Sequence, residues 1–139
     1  MAILFSFSAY ASPIPSSQSA ASCKTIFDSC IQKKNWLNLE CIDSNYEHFD
    51  KQLNTTYKRL ILLKKKSDYY PDRELELLKS VQRAWIKFRD TTCHFESGLH
   101  PGSGWGWGLR YNSCLLEMTC KRINYLENHL QNISKQTDG

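Results

Sequence analysis

Six cysteines stand at positions 23, 30, 41, 93, 114 and 120 of a 139-residue chain, and no other feature restricts the fold as tightly. An even number in so short a sequence points to an oxidising compartment and to as many as three disulfides, although six cysteines permit fifteen pairings and spacing alone does not choose among them. With four tryptophans and 41% apolar residues, the chain makes one domain with a modest core. At that size covalent staples supply a large share of the stability.

Export requires a leader, and the N-terminus offers a candidate. Ala2 to Tyr10 is an apolar run ending in Ala9-Tyr10-Ala11, the small-x-small pattern of a signal-peptidase site. Residues 1–11 are therefore expected to be a signal peptide, and the Ser, Pro and Ala-rich residues 12–22 a flexible segment. No Lys or Arg precedes the run, which leaves open a start upstream of Met1. The run is too short to span a bilayer and nothing later is longer, so the mature protein is expected to be soluble, in the periplasm or secreted. Ala20-Ala21-Ser22-Cys23 invites acylation of Cys23, but the apolar run lies too far upstream and an anchored Cys23 would leave an odd number of cysteines.

Beyond Cys23 the periodicity is helical. Residues 23–36 carry Ile26, Phe27, Cys30 and Ile31 at helical spacing and form a short helix. A longer one over 41–66 has the apolar stripe Ile42, Tyr46, Phe49, Leu53, Tyr57 and Leu60, with Asp50 and Asn54 on its edge. Pro71 or Asp72 starts the next helix, whose positive end suits Glu74 and Glu76. The densest stretch follows: Val81-Gln82-Arg83-Ala84-Trp85-Ile86-Lys87-Phe88-Arg89-Asp90, closed by Cys93. At about 100° per residue, Leu77, Leu78, Val81, Ala84, Trp85 and Phe88 share an arc expected to face the core, while Arg83, Lys87 and Asp90 point away. Gln82 and Arg89 lie on the shoulder of that arc, two turns apart. From 98 to 112, five glycines and a proline break every periodicity around Trp105 and Trp107, and a long loop is expected. The last helix, 113–133, turns Leu115, Met118, Leu126, His129 and Ile133 inward, with Thr119 and Arg122 in the same arc and a polar tail at 134–139. The sum is an all-α fold, a small disulfide-stapled antiparallel helical bundle of three long helices and one short N-terminal helix.

The residues also carry a likeness. Cys30 with ten residues to Cys41, Asp50-x-x-Leu53-Asn54-x-x-Tyr57, Gln82-Arg83-Ala84-Trp85-x-x-x-Arg89-Asp90-x-x-Cys93, a Gly-Ser loop, Cys114 and Thr119-x-x-Arg122-x-x-x-Leu126 resemble the LprI-type lysozyme inhibitor family of bacterial exported proteins, over about residues 30–127. The resemblance implies that 23–133 is an LprI-like helical domain, a small disulfide-stabilised protein of the bacterial envelope. It implies the pairs Cys30–Cys41 and Cys93–Cys114; Cys23 and Cys120 stand outside the family's usual four cysteines, and parity joins them. Such pairs would hold the first helical hairpin at its turn, clamp the base of the Gly/Trp loop and tie the first helix to the last, each contributing roughly 2–4 kcal/mol.

Two groups of residues are candidates for function. Asp50, Asn54, Gln82 and Arg89 sit on shoulders that would face each other if their helices pack antiparallel, giving an Asp50 to Arg89 seam. A structural network that fixes helix register is favoured there over a recognition site, because a buried charge must be paired. Arg122, in an apolar stripe, is read the same way. The 98–111 loop, with His100, Trp105, Trp107, Arg110 and Tyr111, is the first choice of binding site. Loops carry function more often than core helices, and Trp, Tyr and Arg are the usual interface anchors. The opposing reading is that one or both indoles fold back and cap the core.

No catalytic residue, cofactor or metal is expected. The four histidines are scattered, no His-Glu-x-x-His or paired Cys-x-x-Cys occurs, and oxidised cysteines are neither nucleophiles nor ligands. His94 and His100 flank the loop as a weak metal pair. The net charge of +4, with Lys33, Lys34 and Lys64 to Lys66, lacks the aromatic interleaving of a nucleic-acid stripe. Two roles remain. One is an inhibitor or immunity protein that presents the Gly/Trp loop to a cell-wall hydrolase, such as lysozyme or a toxin effector. The other is a non-catalytic envelope protein whose tryptophans stack on peptidoglycan or another glycan. A constrained loop loses little entropy on binding, which suits an inhibitor. Many lysozymes are strongly basic, so a basic inhibitor needs acidic side chains clustered at its docking face.

Overall fold

A computed structural model describes residues 17–33, 36–66, 70–98 and 104–137. The expected leader and His100 lie outside the described residues, as do the side chains of Trp36 and Trp105. Four helices follow in order: α1 (Ser17–Ile31), α2 (Trp36–Lys65), α3 (Pro71–Ser97) and α4 (Gly104–Thr137), with no strand among the described residues. α2 and α4 pack along each other to form the centre, α1 lies against both, and α3 covers another side, without touching α1. α2 supplies Ile42, Phe49, Leu53 and Leu60 to the core, α4 supplies Leu116, Ile123, Leu126 and Leu130, and α1 supplies Cys23 and Cys30.

The ends of α3 follow from local chemistry. Pro71 sits in the first turn, where a missing N–H costs nothing, with Asp72 and Glu74 at the positive end of the helix dipole. Lys64 at the close of α2 reaches Glu74 at 3.0 Å and ties the connection. α3 stops at Gly98, whose φ of 81° is open to glycine and strained for other residues, and whose N–H returns to the Phe95 carbonyl.

Three disulfides join Cys23 to Cys120, Cys30 to Cys41 and Cys93 to Cys114. The Asn45 amide donates to the Cys41 carbonyl at 2.8 Å and lies over the sulfurs of the Cys30–Cys41 bridge. Met118 brings its sulfur to 3.6 Å from that of Cys93, covering the third bridge.

Two expectations are corrected. The first concerns the face of α3. Leu77, Val81 and Phe88, expected inside, are 58%, 49% and 61% exposed, while Leu75, Gln82, Arg89, Cys93 and Ser97 are buried. The helix is rotated by roughly a third of a turn from the orientation its apolar arc favours. The cause is that Gln82, Arg89 and Cys93 recur along one line of the helix, and each is held from inside: Cys93 covalently, the other two by polar partners on α2 and α4. Trp85 and Leu78, on the boundary between the two arcs, remain packed against the core. Asp90 turns back to pair with Arg89 instead of pointing away.

The second correction concerns the segment expected to be a long loop. α4 begins at Gly104, so Trp105, Trp107, Arg110 and Tyr111 stand on its first turns. Each helical glycine costs about 1 kcal/mol relative to Ala. Tertiary contacts offset that cost: Leu109 packs on the core, Arg110 Nε donates to the Ser97 carbonyl at 3.2 Å, and Gly108 lies against Leu39 of α2. Other helix ends also extend further. α1 starts at Ser17, within the stretch expected to be flexible, α2 starts ahead of Cys41, and α4 continues past Ile133 to Thr137. His129, expected inward, is exposed and stacks on Tyr125, while Leu116, Ile123 and Leu130 fill the interior of α4.

An added Cβ meets nothing within 4 Å at Gly104 and only the Arg110 guanidinium, at 3.9 Å, at Gly106. Gly104→Ala and Gly106→Ala should therefore each raise stability by about 0.5–1 kcal/mol in urea unfolding, through helix propensity and a less free unfolded chain. A loss of stability in both would contradict a helix at this position.

Candidate functional site

The buried polar line of α3 forms two networks on either side of Trp85. Arg89, 7% exposed, donates from Nη1 to Asp50 of α2 at 3.2 Å and to the Thr119 hydroxyl of α4 at 3.3 Å, and from Nε to Asp90 at 2.8 Å. Asn54 donates to the other Asp50 oxygen at 3.3 Å. Gln82 belongs to a separate pair: its Oε1 accepts from Nε and Nη2 of Arg122 at 3.1 and 2.9 Å. The Trp85 ring has a guanidinium on each count, Arg89 and Arg122 both lying 5.2 Å from its centroid, and Arg122 also lies over Tyr125.

The two arginines are solvated differently by the protein. Burial lowers the Arg122 pKa with only Tyr125 opposing, and Arg122 has no ion pair among the described residues. Burial acts in the same direction on Arg89 but is outweighed by Asp90, Tyr46 and Asp50, so its pKa is raised. Both stay cationic at any ordinary pH. Gln82, Arg89 and Arg122 are buried and bonded between helices, an arrangement that fits a role in holding the rotation of α3, while Asn54 is exposed at the rim.

A second cluster lies at the start of α4. Trp107 and Tyr111, four residues apart on the first turns of α4, stack with ring centroids at 4.8 Å and planes 10° apart. The edge of His94, from the end of α3, meets Trp107 at 6.2 Å. Trp107 and Tyr111 are half-buried and Arg110 is exposed. Beside Tyr111, Asn112 donates to Asp43 of α2 at 2.6 Å. Tyr46 adjoins the same cluster: burial raises its pKa, the Arg89 charge pulls it down, and Asp50, Asp90 and Tyr111 add to the rise. Asp43 thus stands beside the aromatic stack, while Asp50 and Asp90 act with Arg89 on the neighbouring Tyr46, on a chain whose overall charge is +4.

Of the residues expected at the site, Trp107, Arg110 and Tyr111 come together. His100 and the Trp105 side chain lie outside the described residues. Asp43 and Asn112 escaped the sequence reading, which had Tyr46 only as part of the apolar stripe of the second helix and His94 only as half of a weak metal pair. Asp43 and Tyr46 share the α2 edge of Asp50 and Asn54, so following that edge two turns towards the N-terminus is the signal that finds them. A groove of about 340 Å³ lined by Arg59, Leu62, Leu63, Lys66 and Leu130 lies toward the other end of the bundle, away from these groups. Among the described residues no three His, Cys, Asp or Glu side chains converge as metal ligands, and no helix is long and apolar enough to cross a membrane.

Two outcomes follow. Arg89→Met removes the guanidinium that donates to the buried Thr119 hydroxyl and to Asp50 Oδ1, leaving Asp50 only its Asn54 donor, and should destabilise by about 1–3 kcal/mol in denaturant unfolding. The raised Tyr46 pKa favours the neutral phenol in the folded state, so its stabilisation is complete below the unfolded value of about 10 and is lost as pH rises through the folded one. Titration at 295 nm should show a delayed phenol ionisation, absent in Tyr46→Phe.

No solved structure matches this chain. An uncharacterized protein of Rhizobium meliloti (strain 1021) is 33% identical over 95 residues, which cover 63% of this chain and 67% of that one. The family described as lysozyme inhibitor LprI matches residues 30–126, a span that contains both arginine networks and the acidic aromatic cluster. With this match over more than half its length, the chain belongs to the LprI lysozyme inhibitor family.

Proposed function

We propose that the protein binds and blocks a cell-wall hydrolase in an oxidising compartment outside the cytoplasm, using the start of α4 as its contact surface. The observation that carries this reading is the Trp107 and Tyr111 stack beside Asp43, on a helix pinned by the Cys93–Cys114 bridge. Stacked aromatic rings with an adjacent guanidinium are typical interface anchors, and a pinned helix loses little freedom on docking. Asp43 gives the stack a carboxylate neighbour, which a basic target favours on a chain whose overall charge is positive. Three disulfides suit an exported protein.

The same cluster favours a protein partner over a glycan. Trp107 uses one face on Tyr111 and meets the edge of His94, leaving less open aromatic surface on which a sugar ring could stack.

The test is lysozyme clearing of a cell-wall suspension with oxidised protein added across a concentration series. Inhibition near one-to-one stoichiometry is expected, weakened by about 30-fold or more in a Trp107→Ala, Tyr111→Ala double variant. Asp43→Lys should slow association most at low salt. Lack of inhibition at large excess rejects lysozyme as the target, and retention on purified peptidoglycan in that case would move the function to glycan binding.

A further inference from the structure

The outer face of α3 carries a pattern that the bundle does not use. Leu77, Val81, Ala84, Phe88 and Phe95 follow one another at intervals of four, three, four and seven residues, a heptad seam about 27 Å long. All five are exposed, Phe95 at 82%. Single exposed apolar side chains are ordinary, but a continuous stripe on a small chain marks a contact surface. The bundle cannot take this stripe inside, because turning α3 inward would break the Cys93–Cys114 bridge and withdraw Arg89 and Gln82 from their partners. Nor does α1 cover it, since α1 and α3 do not meet.

The borders of the stripe are unequal. Along one edge run Arg73, Ser80, Lys87 and His94, one per heptad, with Arg83 beside them. Neither Arg73 nor Lys87 forms an ion pair among the described residues. Of the acids of α3, Glu76 pairs with Lys79, Asp90 with Arg89 and Glu74 with Lys64, while Asp72 and Glu96 form no ion pair among the described residues, Glu96 falling on the opposite border from Arg73 and Lys87. The other edge, Leu78, Trp85 and Thr92, is partly covered by the protein's own bundle.

We propose that this face docks an amphipathic helix of a partner protein whose apolar seam is bordered by Asp and Glu. A second copy of the chain fits poorly. Antiparallel self-pairing would match Leu77 with Phe95 and Ala84 with Phe88, and would set Lys87 against its own counterpart near the two-fold axis. Parallel self-pairing needs the Leu78, Trp85 and Thr92 edge, which the bundle already covers. The stripe adjoins the aromatic cluster at His94, but its apolar residues Leu77, Val81, Ala84 and Phe88 lie on a different helix from the Trp107 and Tyr111 stack, so the inference does not depend on the hydrolase reading.

The experiment uses oxidised full-length protein and two labelled synthetic three-heptad helical peptides with the same Leu/Ile seam, one bordered by Glu and the other by Lys. Fluorescence anisotropy should show the Glu peptide binding at least about tenfold more tightly. Phe88→Asp should reduce that binding about tenfold or more without lowering the melting temperature, because Phe88 is exposed. Lys87→Glu should narrow the difference between the peptides. Equal binding of the two peptides, no binding of either, or binding that survives Phe88→Asp would each overturn the proposal. Sedimentation showing a wild-type dimer that Phe88→Asp dissociates would overturn it in favour of a second copy. Lysozyme inhibition measured on the same Phe88→Asp protein separates this surface from the one at α4.

Discussion

The rotation of α3 is the constraint on which the rest of the structure depends. One line of the helix carries Gln82, Arg89 and Cys93, and each is bound from a different direction, by Arg122, by Asp50 with Thr119, and by Cys114. Burying a guanidinium is costly unless its donors are satisfied, and the alternative rotation would leave these partners unmatched while gaining only the burial of a few apolar side chains. The bridge and the hydrogen bonds act together, so the bundle has one register. Trp85, between two guanidiniums, fills the space between the networks and supplies aromatic surface to both cations.

Much of this organisation was legible from residue types, and the failures have physical causes. The limits of α3 could be read because Pro71 and Gly98 act locally. The Asp50 and Arg89 contact could be read because two polar residues on the shoulders of facing helices have few other partners. The face of α3 could not be read from apolar periodicity, which counts Leu77, Val81 and Phe88 as core whether or not a stronger tether turns them outward. The start of α4 was hidden for a related reason. Glycine signals a loop by its backbone freedom, but the contacts of Leu109, Arg110 and Gly108 that fold the segment back into a helix come from distant parts of the chain. The same holds for Asp43 and Asn112, separated by 69 residues and joined only once α2 and α4 lie side by side.

These corrections change what kind of site the molecule presents. A glycine-rich loop would have offered tryptophans on a flexible stalk. The helix instead offers a short aromatic ridge of fixed geometry, with His94 at its edge and Asp43 and Asn112 at its foot. Under the proposed hydrolase-binding role, a rigid ridge would select its partner by shape, and the Asp43 carboxylate beside it would favour a cationic surface.

The bridge between Cys23 and Cys120 spans 97 residues and passes over every other cysteine in the chain. A polypeptide crossing into an oxidising compartment exposes Cys23 first, and Cys30 is the next thiol to arrive. Both lie in α1, where two turns of helix hold their Cα atoms about 10.5 Å apart, beyond the reach of a disulfide. While α1 is wound, therefore, Cys23 cannot pair with Cys30, its nearest neighbour in sequence. Secondary structure in this way removes one of the wrong pairings open to six cysteines.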